Sequence, residues 1–406
     1  MYLKRNIEDI LQKTMRDYPV VLLTGARQVG KTTLLKHLAQ DSHEYVTLDD
    51  FILRKHLEDD PILFFKNHPG PLILDEIQYV PQSFSTLKKI VDEQDLAGQF
   101  LLTGSQSFSL MENVSESLAG RIAVFQLQSL SMRERLGISF SDVFLPSEAY
   151  IQKRSGSISP YEELWTMIHR GSMPRLLSHP DSDWEIFYQS YIQTYIERDV
   201  RQLTQVGDER KFMEFLVSTA ARSAEMLNYQ SIAKDIGVSL DTVKRWISIL
   251  RVSGIIYLLY PYSNNHLKRA LKTPKLYFMD TGLLAYLTRW LTPETLQAGA
   301  FSGNMFETFV VSEIVKSYQN RGKINPPIYY YRDTDQKEID LIIEEGQDLY
   351  PVEIKSSANP SSEMARHFSV LKKIPKLNIK HGTILCRYDK ILWLKEDLVS
   401  VPIEYI

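Results

Sequence analysis

Gly25-Ala26-Arg27-Gln28-Val29-Gly30-Lys31-Thr32 decides the fold. An apolar run, Val20 to Leu23, precedes it and reads as a buried parallel strand. Thr33 to Leu38 follows with helical periodicity. Strand, glycine-bearing loop and helix are the setting that the GxxxxGK[ST] spacing requires. Gly25 and Gly30 let the loop wrap so that backbone N–H groups converge on phosphates. The helix N-terminus adds partial positive charge. Lys31 is placed to reach the β- and γ-phosphates, and the Thr32 hydroxyl to hold Mg²⁺. The expected ATP-binding residues are therefore Gly25, Ala26, Arg27, Gln28, Val29, Gly30, Lys31, Thr32 and Thr33.

The chain has 406 residues, enough for two or three domains. Hydrophobic residues make up 44% and charged residues 24%, the balance of an ordinary globular protein with sizeable cores. A net charge of −3 gives no gross bias toward nucleic acid, so any such binding must use local patches. Cys386 is the only cysteine, which excludes an intrachain disulfide and a multi-cysteine zinc site. The first residues lack the apolar core of a signal peptide, and no apolar run of about 18 residues occurs. The expectation is a cytoplasmic protein without a membrane partner.

Residues 1–145 read as alternating strands and helices. Ile7 to Met15 suit a short helix, Glu44 to Asp49 a second strand, and Pro71 to Leu74 a third that ends in Asp75 and Glu76. Ligands bind at the carboxyl edge of open α/β sheets. There Asp75 would hold the Mg²⁺ of ATP through water, and Glu76 would activate the attacking water. Gln99 to Gly104 is a further strand ending at Ser105, which suits either a γ-phosphate contact or a turn. Arg121 follows Leu118-Ala119-Gly120 and reads either as a finger delivered to a neighbouring subunit's nucleotide or as a surface arginine.

GARQVGKTTLL, LILDEIQ, LLTGS and LAGR, in this order and spacing, resemble the prokaryotic AAA+ ATPases that carry a C-terminal domain of unknown function. Gly171-Ser172-Met173-Pro174, Tyr195 to Val200, Lys275 to Gly282 and Val352 to Lys355 extend the resemblance over most of the chain. It implies ATP and Mg²⁺ as ligands, ATPase activity and a homo-oligomer. It also implies that Pro174 touches adenine, although a helix stop followed by proline accounts for the same residues. Ser105 stands where many AAA+ proteins have Asn.

Residues 137–160 are rich in Ser, Gly and Pro and suggest a connector, with a helix from Tyr161 to Arg170 beyond it. Trp184 to Leu203 suits a long helix whose Tyr188, Tyr191 and Tyr195 form a core-facing stripe. Arg198, Asp199 and Arg201 at its end read as a solvated charged end or a subunit contact. Residues 228–260 suit helix, turn, helix and strand, with Gly237 at the turn and Ser239 as N-cap. This is a winged-helix pattern. Lys244, Arg245 and Arg251 lie on the second helix, and Lys268, Arg269, Lys272 and Lys275 just beyond. They suit DNA contact, unless the module is only a lid or a subunit contact.

Residues 301–406 carry a second constellation. Gly303 to Val311 starts an amphipathic helix bearing Glu307, and Ile328 to Arg332, Glu338 to Ile343 and Leu349 to Lys355 are strands. The last two would pair across residues 344–348, setting Asp340 beside Glu353 with Lys355 on the same face. Glu307, Asp340 and Glu353 would hold a divalent ion, and Lys355 would orient its water. The order resembles the PD-(D/E)xK nuclease fold, whereas an exposed hairpin with alternating charges predicts the same pattern.

The fold expected is thus α/β: an AAA+ core with a parallel sheet (1–145), a helical lid (146–225), a winged helix (226–275), a connector (276–300) and a nuclease-like domain (301–406). The function expected is a Mg²⁺-dependent ATPase acting on DNA. The alternative is a nucleotide-switched signalling or scaffold ATPase whose C-terminal domain binds a protein.

Overall fold

The computed structural model describes residues 2–94, 96–104, 117–195, 209–263, 273–373 and 377–406. Ser105, Arg198, Asp199, Arg201, Lys268, Arg269 and Lys272 lie outside the described residues.

Five parallel strands form the N-terminal sheet: β1 (Val20–Gly25), β2 (Glu44–Thr47), β3 (Leu72–Asp75), β4 (Phe100–Gly104) and β5 (Ile122–Leu127). Their order is β2-β3-β4-β1-β5, with β1 flanked by β4 and β5. Alternation along the strands separates two cores. Val20, Leu22, Leu72, Leu74, Phe100 and Leu102 pack with Phe64, Phe84 and Leu87 on one face. Val21, Leu23, Ile73 and Leu101 turn to the other face and join a core that runs on through residues 125–406.

The middle of the chain is mostly helical. Residues 137–160, expected as a connector, contain the helix Glu148–Ser155, capped by the Ser147 side chain. Tyr161 begins before the next helix, which runs from Leu164 to Arg170. In the helix Trp184–Tyr195 the tyrosine stripe is buried, as its spacing implies. The helix Glu209–Ala220 is followed in order by β6 (Glu225–Met226), the helices Tyr229–Ile236 and Leu240–Val252, β7 (Ile256–Leu259) and β8 (Lys275–Phe278). The three strands pair antiparallel in the order β6-β8-β7. Residues 276–300 are no loose connector either: they continue β8 and carry the helices Thr281–Leu287 and Pro293–Ala298.

The C-terminal sheet contains β9 (Ile328–Arg332), β10 (Glu338–Glu345), β11 (Asp348–Ile354), β12 (Asn378–Ile379), β13 (Gly382–Cys386), β14 (Leu392–Lys395) and β15 (Leu398–Pro402). Its path is β14-β15-β13-β11-β10-β9, with β12 on β11. β10 and β11 form the expected hairpin, Glu345 pairing with Asp348. The helix Ser302–Gln319 differs from the amphipathic expectation, being buried at almost every position from Met305 onward. Its polar residues find partners inside. Lys316 Nζ lies 2.8 Å from Glu313 Oε1 and 3.1 Å from both Leu130 O and Ser172 Oγ. Glu313 Oε2 accepts from the Met132 amide at 2.7 Å. The helix is therefore a shared core element rather than a half-solvated one.

Candidate functional site

The phosphate loop bends where the two glycines stand. Gly25 has φ 141° and Gly30 φ 96°. A Cβ at Gly25 would lie 2.1 Å from Leu127 O, so only glycine fits beside β5. Gly30 is the N-cap of the helix Lys31–Ala39. Lys31 is folded onto its own loop, Nζ donating to Gly25 O at 3.0 Å and Ala26 O at 2.9 Å. Arg5 holds the loop from outside. Its guanidinium donates to Val29 O at 2.8 Å, Gln128 O at 2.7 Å and Glu134 Oε1 at 3.1 Å, fully out of solvent. Sequence reasoning missed Arg5, since its partners lie up to 129 residues away.

Asp75 stands at the carboxyl end of β3, as its motif predicts. Thr32 Oγ1 donates to Asp75 Oδ1 at 2.9 Å, and Tyr45 OH to Oδ2 at 2.9 Å. Thr103 Oγ1 at the end of β4 also donates to Oδ1. Glu76 follows in the left-handed region at φ 60°, its amide donating to Thr103 Oγ1 at 3.3 Å and its carboxylate accepting from Gln78. The structure thus gathers Lys31, Thr32, Asp75 and Glu76 at one end of the sheet. It adds Thr103 and Tyr45, which the sequence reading did not single out.

Arg121 lies at the opposite end, just before β5, its carbonyl accepting from Val20 at the start of β1 at 3.3 Å. Its guanidinium pairs with Asp92 and is partly exposed. Pro174 opens the helix Pro174–Ser178. The turn before it is tied to Asp280: Oδ2 accepts from the Ser172 amide at 2.9 Å, and Oδ1 from Tyr188 OH at 2.6 Å. A Cβ at Gly171 would lie 2.4 Å from Tyr188 OH. Lys244 and Arg245 are exposed on the helix Leu240–Val252, with Lys244 3.5 Å from Asp241.

In the C-terminal sheet Asp340 and Glu353 stand one position beyond the Leu341–Val352 pair on neighbouring strands. Lys355 Nζ bridges them, 3.1 Å from Asp340 Oδ2 and 2.7 Å from Glu353 Oε1. Glu353 Oε2 is buried with no hydrogen-bond partner. Burial first, and then the Asp340 charge, push the Glu353 carboxyl up to about 8. The same two carboxylates raise Lys355 against the opposing effect of its own burial.

Glu307 does not complete this pair. Lys275, on β8, reaches it at 3.1 Å and Tyr277 OH at 2.7 Å, and Lys275 also holds Glu338 at 2.6 Å. Among the described residues no three His, Cys, Asp or Glu side chains lie close enough to hold an ion together. The expected cluster of Glu307, Asp340 and Glu353 is thus corrected to a pair. A lysine of the middle segment, expected to face DNA, neutralises the third carboxylate, and Lys275 is buried.

Three family models match the chain: an AAA domain over residues 17–136, the domain of unknown function DUF8612 over 161–294, and the domain of unknown function DUF4143 over 302–406. The parallel sheet with its phosphate loop has the AAA-type P-loop ATPase fold, followed by a separate mixed sheet. Two relatives, the uncharacterized proteins Rv2008c of Mycobacterium tuberculosis and Mb2031c of Mycobacterium bovis, are each 27% identical over 403 residues, covering 99% of this chain and 84% of theirs. Among solved structures, the Walker-type ATPase PABY2304 of Pyrococcus abyssi is 14% identical with a TM-score of 0.43, covering 70% of this chain and 96% of its own. AMPPCP-bound DnaA from Aquifex aeolicus is 14% identical with a TM-score of 0.29, covering 60% and 85%. No helix among the described residues is long and apolar enough to cross a membrane.

Proposed function

We infer that the chain binds and hydrolyses ATP and acts on DNA through its middle and C-terminal segments. The observation that carries the ATPase reading is the 2.9 Å hydrogen bond from Thr32 to Asp75, which joins two motifs 43 residues apart beside the lysine of the loop. The Thr32 hydroxyl and Asp75 would hold Mg²⁺, which supplies charge neutralisation on the β- and γ-phosphates. Lys31 exchanges the Gly25 and Ala26 carbonyls for phosphate oxygens, acceptors of the same kind. Glu76 takes a proton from the water that attacks the γ-phosphorus, and ADP leaves. In an oligomer Arg121 of one subunit would serve the nucleotide of its neighbour, and only then does Arg121→Ala slow turnover while leaving ATP binding intact.

The DNA reading rests on element order and charge. Helix, short strand, two helices and a two-stranded hairpin follow one another as in a winged helix, with Lys244 and Arg245 exposed on the second helix of the pair. In the C-terminal sheet Asp340 and Glu353, with the orphaned Oε2, suit one divalent ion, and Lys355 lies beside it. ATP turnover is measured with and without duplex DNA, together with DNA affinity across a salt series. Charge reversal at Lys244 and Arg245 is expected to weaken binding and flatten its salt dependence. Unchanged affinity and slope would reject the reader role.

A second reading has one observation in its favour. The Lys355 ammonium already balances the Asp340 charge and holds Glu353 beside it, as a structural ion pair does. On that reading ATP toggles an assembly and the C-terminal segment binds a protein. Nucleotide-dependent sedimentation without DNA affinity and without Mn²⁺-dependent cleavage would favour it.

A further inference from the structure

Lys275 opens β8 in the middle segment, yet its side chain ends among carboxylates of the C-terminal segment. Only 4% of that side chain is exposed. Nζ lies 3.1 Å from Glu307 Oε1, 2.6 Å from Glu338 Oε1 and 5.9 Å from the centroid of the Tyr330 ring. Tyr277 OH donates to the same Glu307 Oε1 at 2.7 Å. Arg332 takes the other oxygen of Glu338 at 3.0 Å. The charge of Asp340 reaches this group. Burial raises the Glu307 carboxyl above its ordinary range, Lys275 opposes the rise, and Asp340 adds to it. Burial lowers Lys275, but Tyr277 and the charges of Glu307, Asp340 and Glu338 outweigh it and hold the ammonium well above the ordinary lysine range.

A small divalent cation takes about six oxygen ligands, several of them anionic when it is held tightly. Asp340 and Glu353 have little left to offer. Asp340 Oδ2 accepts from the Ile354 amide at 2.9 Å and from Lys355 at 3.1 Å. Glu353 Oε1 lies 2.7 Å from Lys355, which leaves Oε2 as the oxygen of that carboxylate without a partner. Glu307 is the carboxylate that could strengthen the pair, and it is committed to Lys275 and Tyr277. An ammonium and a metal ion compete for the same carboxylate oxygens. We propose that Lys275 is a built-in counter-ion: it holds Glu307 in place of a divalent cation, and the C-terminal site binds that cation tightly only when the ammonium is withdrawn. The proposal rests on the reading of Asp340 and Glu353 as ion ligands. Its consequence is a link between segments. By reciprocity, an ion bound at Asp340 and Glu353 loosens the hold of Lys275 on Glu307, so filling the C-terminal site and docking the start of β8 oppose each other.

The test is Mn²⁺ binding to the full chain without nucleotide, read by calorimetry and by the spin-resonance signal of free Mn²⁺, with melting temperatures to confirm folding. Lys275→Met is expected to bind Mn²⁺ about tenfold more tightly than the wild type, or better. Adding Glu307→Gln or Asp340→Asn is expected to abolish the gain. Arg332→Met, which removes a cation from Glu338 and leaves Glu307 as it is, is expected to stay close to the wild type. If Lys275→Met folds poorly, Lys275→Met with Glu338→Gln leaves one carboxylate fewer unpaired and takes its place in every comparison. Wild-type Mn²⁺ affinity in the folded lysine variant overturns the counter-ion role. If Asp340→Asn alone still weakens Mn²⁺ binding in that case, the ion-site reading stands without it. An equal gain in Arg332→Met shows a general charge effect and overturns the proposal. Mn²⁺ affinity indifferent to Asp340→Asn in both backgrounds overturns the ion-site reading and the proposal with it.

Discussion

Glu353 shows how a residue's surroundings alter its chemistry. Its carboxyl rises from the ordinary 4.5 to about 8, chiefly through burial and then through Asp340. Between those values the folded chain holds a proton that the unfolded chain has released. Stability from this group is therefore complete below about pH 4.5 and is lost as pH rises through about 8. Glu353→Gln is neutral throughout and escapes the loss. With a chelator present, its melting temperature is expected to gain on the wild type between pH 5 and pH 9, and a pH-independent difference would contradict this assignment. Glu76→Gln is expected to keep ATP affinity while turnover falls by about 10²-fold or more, the usual share of a general base. A steady-state assay beside a binding isotherm checks it. Lys31, Thr32, Asp75 and Glu76 were legible because each sits at a fixed spacing from a strand end. Asp340, Glu353 and Lys355 were legible from strand parity. The Arg5 and Lys275 side chains were not, because they reach partners 24 to 129 residues away and no local period encodes them.

At the scale of the element, the helix Ser302–Gln319 carries the main departure from the sequence reading. Ser312, Glu313, Lys316 and Gln319 look like a solvated face on a helical wheel, yet all four are buried. What distinguishes Glu313 and Lys316 is a set of partners at Leu130, Met132 and Ser172, which sequence spacing cannot supply. Lys316→Met is expected to destabilise the chain by about 3–5 kcal/mol, because Glu313 is left charged and buried. Adding Glu313→Leu is expected to return part of that loss. Equilibrium unfolding in urea measures both, and a double variant as unstable as the single one would show that the ion pair is not the cause. The connectors fared similarly: Ser147 and Asp280 cap the helices Glu148–Ser155 and Thr281–Leu287, so both stretches expected as connectors hold helix starts.

For the whole molecule, one continuous core passes from Ile7 through the middle helices to Tyr405, while the other face of the N-terminal sheet has a core of its own. The segments are thus not independent beads. Saturating Mg·ATP is expected to slow amide exchange at residues 25–33 and 72–76, where Lys31, Thr32 and Asp75 meet, and unchanged exchange there, read by mass spectrometry, would show that the phosphate loop takes no nucleotide.

The buried helix Ser302–Gln319 has a further consequence for how the chain is made. During synthesis, some 300 residues leave the ribosome before the helix that covers their apolar seat is available, and the two turns carrying Leu130 and Ser172 wait for Lys316 to arrive. At roughly 5–20 residues per second that interval lasts many seconds. The nascent chain therefore carries an open apolar surface for much of its translation, which makes it a natural client for holding chaperones. A ribosome stalled near residue 300 would present the same surface continuously.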